Sequence, residues 1–97
     1  MRVISQCGRG DFPYEQISLV IRNFGQTDQW LIVAHGLYFK DDLGTRIAEY
    51  STEGKARKVM EILQKEYLCY MTNNLGTAFN QPKVFKFPKD EEIGVVD

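Results

Sequence analysis

One histidine, two cysteines and no surplus of either charge are what this sequence offers to chemistry, and each scarcity removes a class of function. Histidine-based general acid–base work would rest on His35 alone, and its chain neighbours Ala34 and Gly36 bring no nucleophile or carboxylate to it. Cys7 and Cys69 stand far apart, with no Cys-x-x-Cys pair and no histidine close by. They define no disulfide framework, and with His35 they lack the tight ligand spacing of a zinc site. We read them as reduced structural thiols of a cytoplasmic protein and expect neither metal nor cofactor. Twelve basic residues against thirteen acidic ones leave a net charge of −1. That balance argues against a general nucleic-acid binder, which carries a basic surplus, and against an acidic mimic of a phosphate backbone. The most apolar stretch, Trp30 to Phe39, is broken by His35 and Gly36 and is far short of a membrane span. The start, Arg2-Val3-Ile4-Ser5, lacks the apolar stretch of a signal peptide. The expectation is a soluble cytoplasmic protein with no membrane partner.

What is present fits one small globular domain: 97 residues, 43% apolar and 26% charged. Arg2 to Gln6 is short and rich in strand formers, and Cys7-Gly8-Arg9-Gly10 breaks the pattern as a turn. From Gln16 to Phe24 the residues alternate, with Ile17, Leu19 and Ile21 on one face and Ser18, Val20 and Arg22 on the other. Gln29 to Phe39 is apolar on both faces, as suits a central strand, with Gly36 as a site for a bulge. Gly25 to Asp28 and Asp41 to Gly44 read as hairpin loops, and Thr45 to Tyr50 as a fourth strand. Ser51 is placed to cap a helix, with Glu53 at its positive end and Gly54 as an odd choice in the first turn. Ala56, Val59, Met60, Leu63, Tyr67 and Met71, widened by Ile62 and Tyr70, form the apolar stripe of that helix, which Asn73, Asn74 and Gly76 end. Lys83 to Phe87 alternates again, as a fifth strand added to a sheet edge between Pro82 and Pro88. The fold expected is α+β: a curled antiparallel sheet of four to five strands, one long amphipathic helix packed across it, a single domain over 1–88 and an acidic tail over 89–97, partly ordered at best.

Several blocks taken together are also familiar. Met1-Arg2-Val3-Ile4-Ser5-Gln6, Asp11-Phe12-Pro13-Tyr14-Glu15, Ala48-Glu49-Tyr50-Ser51-Thr52-Glu53 with Lys55-Ala56, and Val84-Phe85-Lys86-Phe87-Pro88 before Asp90-Glu91 occur in that order. The pattern resembles a group of short proteins of low-GC Gram-positive bacteria, their prophages and other mobile elements. The resemblance implies that setting and brings no activity with it. The group carries an acidic residue near the position of Cys7 and a glutamate at that of Gly54, so it makes neither residue a functional anchor.

Two surfaces carry the functional expectations. Helix N-termini attract anions, so Ser51, Gly54, Lys55, Arg57 and Lys58 form a candidate site for an anionic or nucleotide-like ligand. The aromatic residues exceed what one small core hides, so Tyr67, Tyr70 and Met71, with Phe85 and Phe87, form a candidate interface for a second copy or a host protein. With no catalytic constellation in view, the leading expectation is a non-enzymatic interaction protein of a phage or mobile element that works as a homodimer. The alternative is a module that sequesters an anionic ligand at the helix start.

Overall fold

The computed structural model describes residues 1–23, 25, 28–36, 44–74 and 84–94. It is an α+β fold with six strands and one helix among the described residues. The strands are β1 (Arg2–Ile4), β2 (Asp11–Pro13), β3 (Ser18–Arg22), β4 (Trp30–His35), β5 (Thr45–Tyr50) and β6 (Val84–Lys86), and helix α1 runs Glu53–Asn74 between β5 and β6. Single 3-10 turns occupy Tyr14–Gln16 and Asp90–Glu92.

The single curled sheet expected from the sequence is two three-stranded sheets, ordered β2-β1-β6 and β3-β4-β5. The first is mixed, because β1 pairs antiparallel with β2 and parallel with β6. The cause is local at one end and distant at the other. Gly8 takes a φ of +81°, which L side chains avoid, and with it the chain reverses within a few residues of β1. The Ser5 N–H donates to Gly10 O at 2.8 Å, and the Ser5 hydroxyl accepts the Gly10 N–H at 2.8 Å. So β2 folds back on β1 before the meander begins. The strand expected at 83–87 then returns beside β1, inside the same chain, as only a long crossover can deliver a parallel neighbour.

The second sheet is the expected meander. In β3, Leu19 and Ile21 are half-buried while Ser18, Val20 and Arg22 are exposed. β4 lies between β3 and β5, and Ile32, Val33 and Ala34 are all buried, which accounts for its apolar character on both faces. The irregularity falls opposite Ile32 and Val33, not at Gly36: Ile32 pairs with Ala48 and Val33 with Arg46, leaving Ile47 as a bulge in β5. Two successive buried residues, Ile47 and Ala48, are its mark in the burial pattern. Gly44 opens β5 with a φ of +79°, and a Cβ there would lie 2.5 Å from Val33 Cγ1 and 2.8 Å from the Ala34 carbonyl oxygen. The residues 37–43 before it, which include most of the second expected loop, lie outside the described residues, as do 75–83.

The two sheets meet at Gln6. Its N–H donates to the bulged Ile47 carbonyl at 2.9 Å. Its side chain donates to Glu49 O at 3.1 Å and to Pro88 O at 3.0 Å, and accepts the Glu49 N–H at 3.0 Å. One residue thus satisfies the outer edge of β5 and fixes the chain that leaves β6. Tyr50, fully buried, sends its hydroxyl to the same Pro88 carbonyl at 2.7 Å.

Helix α1 packs across β3, β4 and β5. Ala56, Val59 and Leu63 are buried against Ile32, Ala34, Ile47, Ala48 and Tyr50, and Met1, Val3, Phe85 and Phe87 of the other sheet complete one continuous core. Burying Val59 or Leu63 contributes about 1.5–3 kcal/mol each by area. Met60, Ile62, Tyr67 and Tyr70 are partly buried at its margin, while Met71 is 45% exposed. The stripe leaves the core there because a 22-residue helix is about 33 Å long, whereas a six-residue strand reaches about 20 Å. Its last turns run past the sheet.

Replacing Gln6 by Ala strips the Glu49 N–H and C=O and the Pro88 C=O of their shared partner. The expected cost is about 1–3 kcal/mol, read as a lower urea midpoint with an unchanged slope. An unchanged midpoint would show that water serves these groups equally well.

Candidate functional site

The start of α1 is built differently from expectation. The cap is Thr52: its hydroxyl accepts the Lys55 N–H at 3.1 Å, and its carbonyl accepts the Ala56 N–H at 3.3 Å. Ser51 is free of that duty because it faces Asp90. The Ser51 N–H donates to Asp90 Oδ1 at 2.7 Å, and its hydroxyl lies 3.0 and 3.2 Å from the two carboxylate oxygens. Lys55 Nζ adds bonds to Asp90 Oδ2 at 3.1 Å and to Asp90 O at 3.3 Å. A carboxylate at a helix N-terminus with a lysine beside it is the arrangement an anion site offers a ligand. Here the chain supplies the anion itself. The Ser51 backbone N–H holds the Asp90 carboxyl below its usual range, and Lys55 and the Ser51 hydroxyl add to that against partial burial. The same charge, with that of Glu92, joins burial in pushing the Tyr50 phenol far above its usual value.

The five residues expected to hold a ligand are therefore divided. Ser51 and Lys55 are engaged by Asp90, and Gly54 is half-buried in the first turn. Arg57 is paired with Glu53 through Nε at 3.0 Å and Nη2 at 2.8 Å. Lys58 is exposed and lowers the Glu61 carboxyl, though less than the hydrogen bond from Lys65 does. Residues 89–94, the described part of the expected tail, carry the 3-10 turn that presents Asp90, and Ile93 packs against the core.

Beside this junction lies an open hollow of about 500 Å³ lined by Gln6, Cys7, Gln29, Glu49, Lys89, Asp90 and Glu91. Cys7 is exposed, and its thiol is lowered by a hydrogen bond with Ser5, whose hydroxyl lies 3.4 Å away, and by the Arg9 backbone and charge. Cys69 is likewise free and exposed. His35 lines a separate hollow with Glu15, Gln16 and Ser18, and its Nε2 is buried with no hydrogen-bond partner among the described residues. The hollow at Cys7 therefore has no imidazole to activate the thiol. Among the described residues no three His, Cys, Asp or Glu side chains gather as metal ligands, and no described helix is long and apolar enough to cross a membrane.

The far end of α1 is the more open surface. Tyr14 and Tyr67 pack with their rings tilted at 53° and centroids 4.6 Å apart, and the centroids of Tyr67 and Tyr70 are 6.1 Å apart. Burial, then the neighbouring Tyr67 and Glu15, raise the Tyr14 phenol. Beside this row Leu68 is 66% exposed and Met71 45%. Sequence reasoning missed Leu68 because it lies off the main stripe; its three-residue spacing from Met71 was the available signal. Phe85 and Phe87, expected at the interface, are buried edge to face at 5.4 Å and present no surface to a partner.

Set against family models, curated proteins and solved structures, the chain matches none of them.

Asp90 has a depressed pKa in the folded state, so its contribution to stability is present above the unfolded value of about 3.9. It is lost as pH falls through the folded pKa. Asp90→Asn is accordingly less stable than the wild type at pH 7, and the gap between the two closes on acidification below about pH 4. Paired urea melts from neutral to acid pH test this, and a gap that persists in acid would assign the loss to something other than the carboxylate charge.

Proposed function

We propose that this is a non-enzymatic interaction protein that works through protein-binding surfaces, one of them the C-terminal half of α1. The observation that carries the reading is the exposed pair Leu68 and Met71 beside the tyrosine row. Positions 67, 68, 70 and 71 are neighbours on a helix surface, so their apolar area is contiguous. Aromatic residues and methionine are enriched at protein interfaces, and adjoining exposed apolar side chains mark them more than scattered ones do. The row is also backed by Tyr14 from outside the helix, which holds Tyr67 in place and lowers the ordering cost of binding.

The partners we propose are a host protein at this surface and a second copy of the chain. The resemblance of the sequence blocks to prophage and mobile-element proteins supports that setting, in the cytoplasm of a Gram-positive host. The alternative of an anion-sequestering module has less support, because Asp90 already takes up Ser51 and Lys55.

The double variant Leu68→Lys with Met71→Lys removes the apolar patch at positions that contribute little to the core. It is expected to keep the wild-type urea midpoint and to lose host proteins that the wild type captures from a lysate. Identical capture by the two proteins would overturn the reading of this surface.

A further inference from the structure

Resting on the reading of an interaction protein, we infer that two copies of this chain join through the outer edge of β3, in antiparallel register centred on Val20, to form one six-stranded sheet. The sheet edges differ in how they are closed. The outer edge of β5 is taken up by the backbone and side chain of Gln6. β2 and β6 are three residues each, β2 carries Asp11 and Pro13, and β6 carries Lys86. Short strands, proline and edge charges are the usual means of preventing edge pairing. β3 has five residues, no proline and no bulge, and among the described residues no strand pairs with its outer side. Alternate residues along it direct their N–H and C=O groups outward, ready to pair.

The residue order of β3 suits a second copy. With Val20 on a two-fold axis, Val20 meets its own copy, Leu19 meets Ile21, and Ser18 meets Arg22. Leu19 and Ile21 are the half-buried residues on the helix side, so their pairing extends the core. Val20, 38% exposed on the other side, gains an apolar cross-strand neighbour. No like charges are set opposite each other.

The helix agrees with the same axis. A hollow of about 500 Å³ runs between the β3 edge and α1; its strand side is Leu19, Val20 and Ile21, and its helix side extends from Glu53 to Gln64. Its midpoint on the strand is Val20, and on the helix it falls between Arg57 and Met60. A two-fold axis normal to the sheet keeps both helices on one face and sets them antiparallel. Arg57 of each copy, already paired with Glu53 of its own chain, then lies across from Glu61 of the other, already paired with Lys65, so the two faces set opposite charges near each other around a central pair of Met60 side chains. The acid–base order along this face is therefore complementary to its own reverse, as a two-fold interface requires.

Light scattering on the full chain tests this. The wild type is expected at twice the chain mass, and Val20→Lys at the chain mass, because two lysines then face each other across the axis; the variant still unfolds in one cooperative urea transition, at a lower midpoint because the stability the dimer adds is lost. Arg57→Glu and Glu61→Arg are each expected to dimerise at least tenfold more weakly alone, and a mixture of the two to regain dimers, since each supplies the charge the other lacks. A monomeric wild type, a Val20→Lys protein that stays dimeric, or a mixture that does not recover would each overturn the inference. A wild type whose dimer is broken by Leu68→Lys with Met71→Lys, and not by Val20→Lys, overturns the β3 edge while leaving the interaction reading intact.

Discussion

The hydrogen bonds of Gln6 are the constraint on which the arrangement of the two sheets depends. A meander of three strands has two open edges, and every backbone group on a buried edge must find a partner. The bulge at Ile47 turns β5 so that its carbonyl meets the Gln6 N–H, while the Gln6 amide serves Glu49 on one side and Pro88 on the other. Few other side chains could do this, because the task needs a donor pair and an acceptor on a stem of that length. With Gln6 in place, β1 is anchored beside the meander, β6 is aligned against β1, and Phe85 and Phe87 fall into the shared core.

The same junction decides what the helix start can do. A chain that brought Pro88 to Gln6 and Tyr50 would deliver the next residues to the first turn of α1, and Asp90 is the one that docks. It takes up the Ser51 N–H just ahead of the cap and pairs with the Lys55 ammonium, two groups a bound phosphate could otherwise use. The helix is thereby closed at one end and left open at the other, where it outruns the sheet. An anion site and an internal clasp use the same residue types, so Ser51 and Lys55 by themselves could not tell the two apart.

The parts of the fold legible in the sequence were those set by local pattern. Alternation in β3, the doubly apolar β4 and the helical stripe each follow from the burial of one or both faces. The division into two sheets was not legible, because it rests on parallel pairing between β1 and β6, some eighty residues apart, and on one glutamine side chain. Nor was the choice of Thr52 over Ser51 as the cap, since two adjacent hydroxyl residues are equally able to cap and only the arrival of Asp90 separates them. Of the expected interface, Tyr67, Tyr70 and Met71 sit at the helix end as placed. Phe85 and Phe87, expected on the same interface, are buried instead, because alternation in a strand shows that two residues share a face without showing whether that face is inside.

The two open surfaces differ in kind. The helix end offers side chains on a convex rod, a geometry suited to a groove or a flat face on another protein, and its specificity would come from the fit of tyrosine, leucine and methionine. The β3 edge offers backbone groups, which pair with any extended segment, so specificity there has to come from what flanks the strand. Glu53, Arg57 and Glu61 along the adjoining helix supply it, since their alternating signs admit a reversed copy of the same face and oppose a face of uniform charge. A chain of this size has little core to draw on, and extending the meander from three strands to six would add stability where the fold is thinnest. A β3 edge that no strand covers among the described residues would then be a means of reaching a stable assembly, while the closed edges at Gln6, Pro13 and Lys86 keep that assembly from growing beyond two copies.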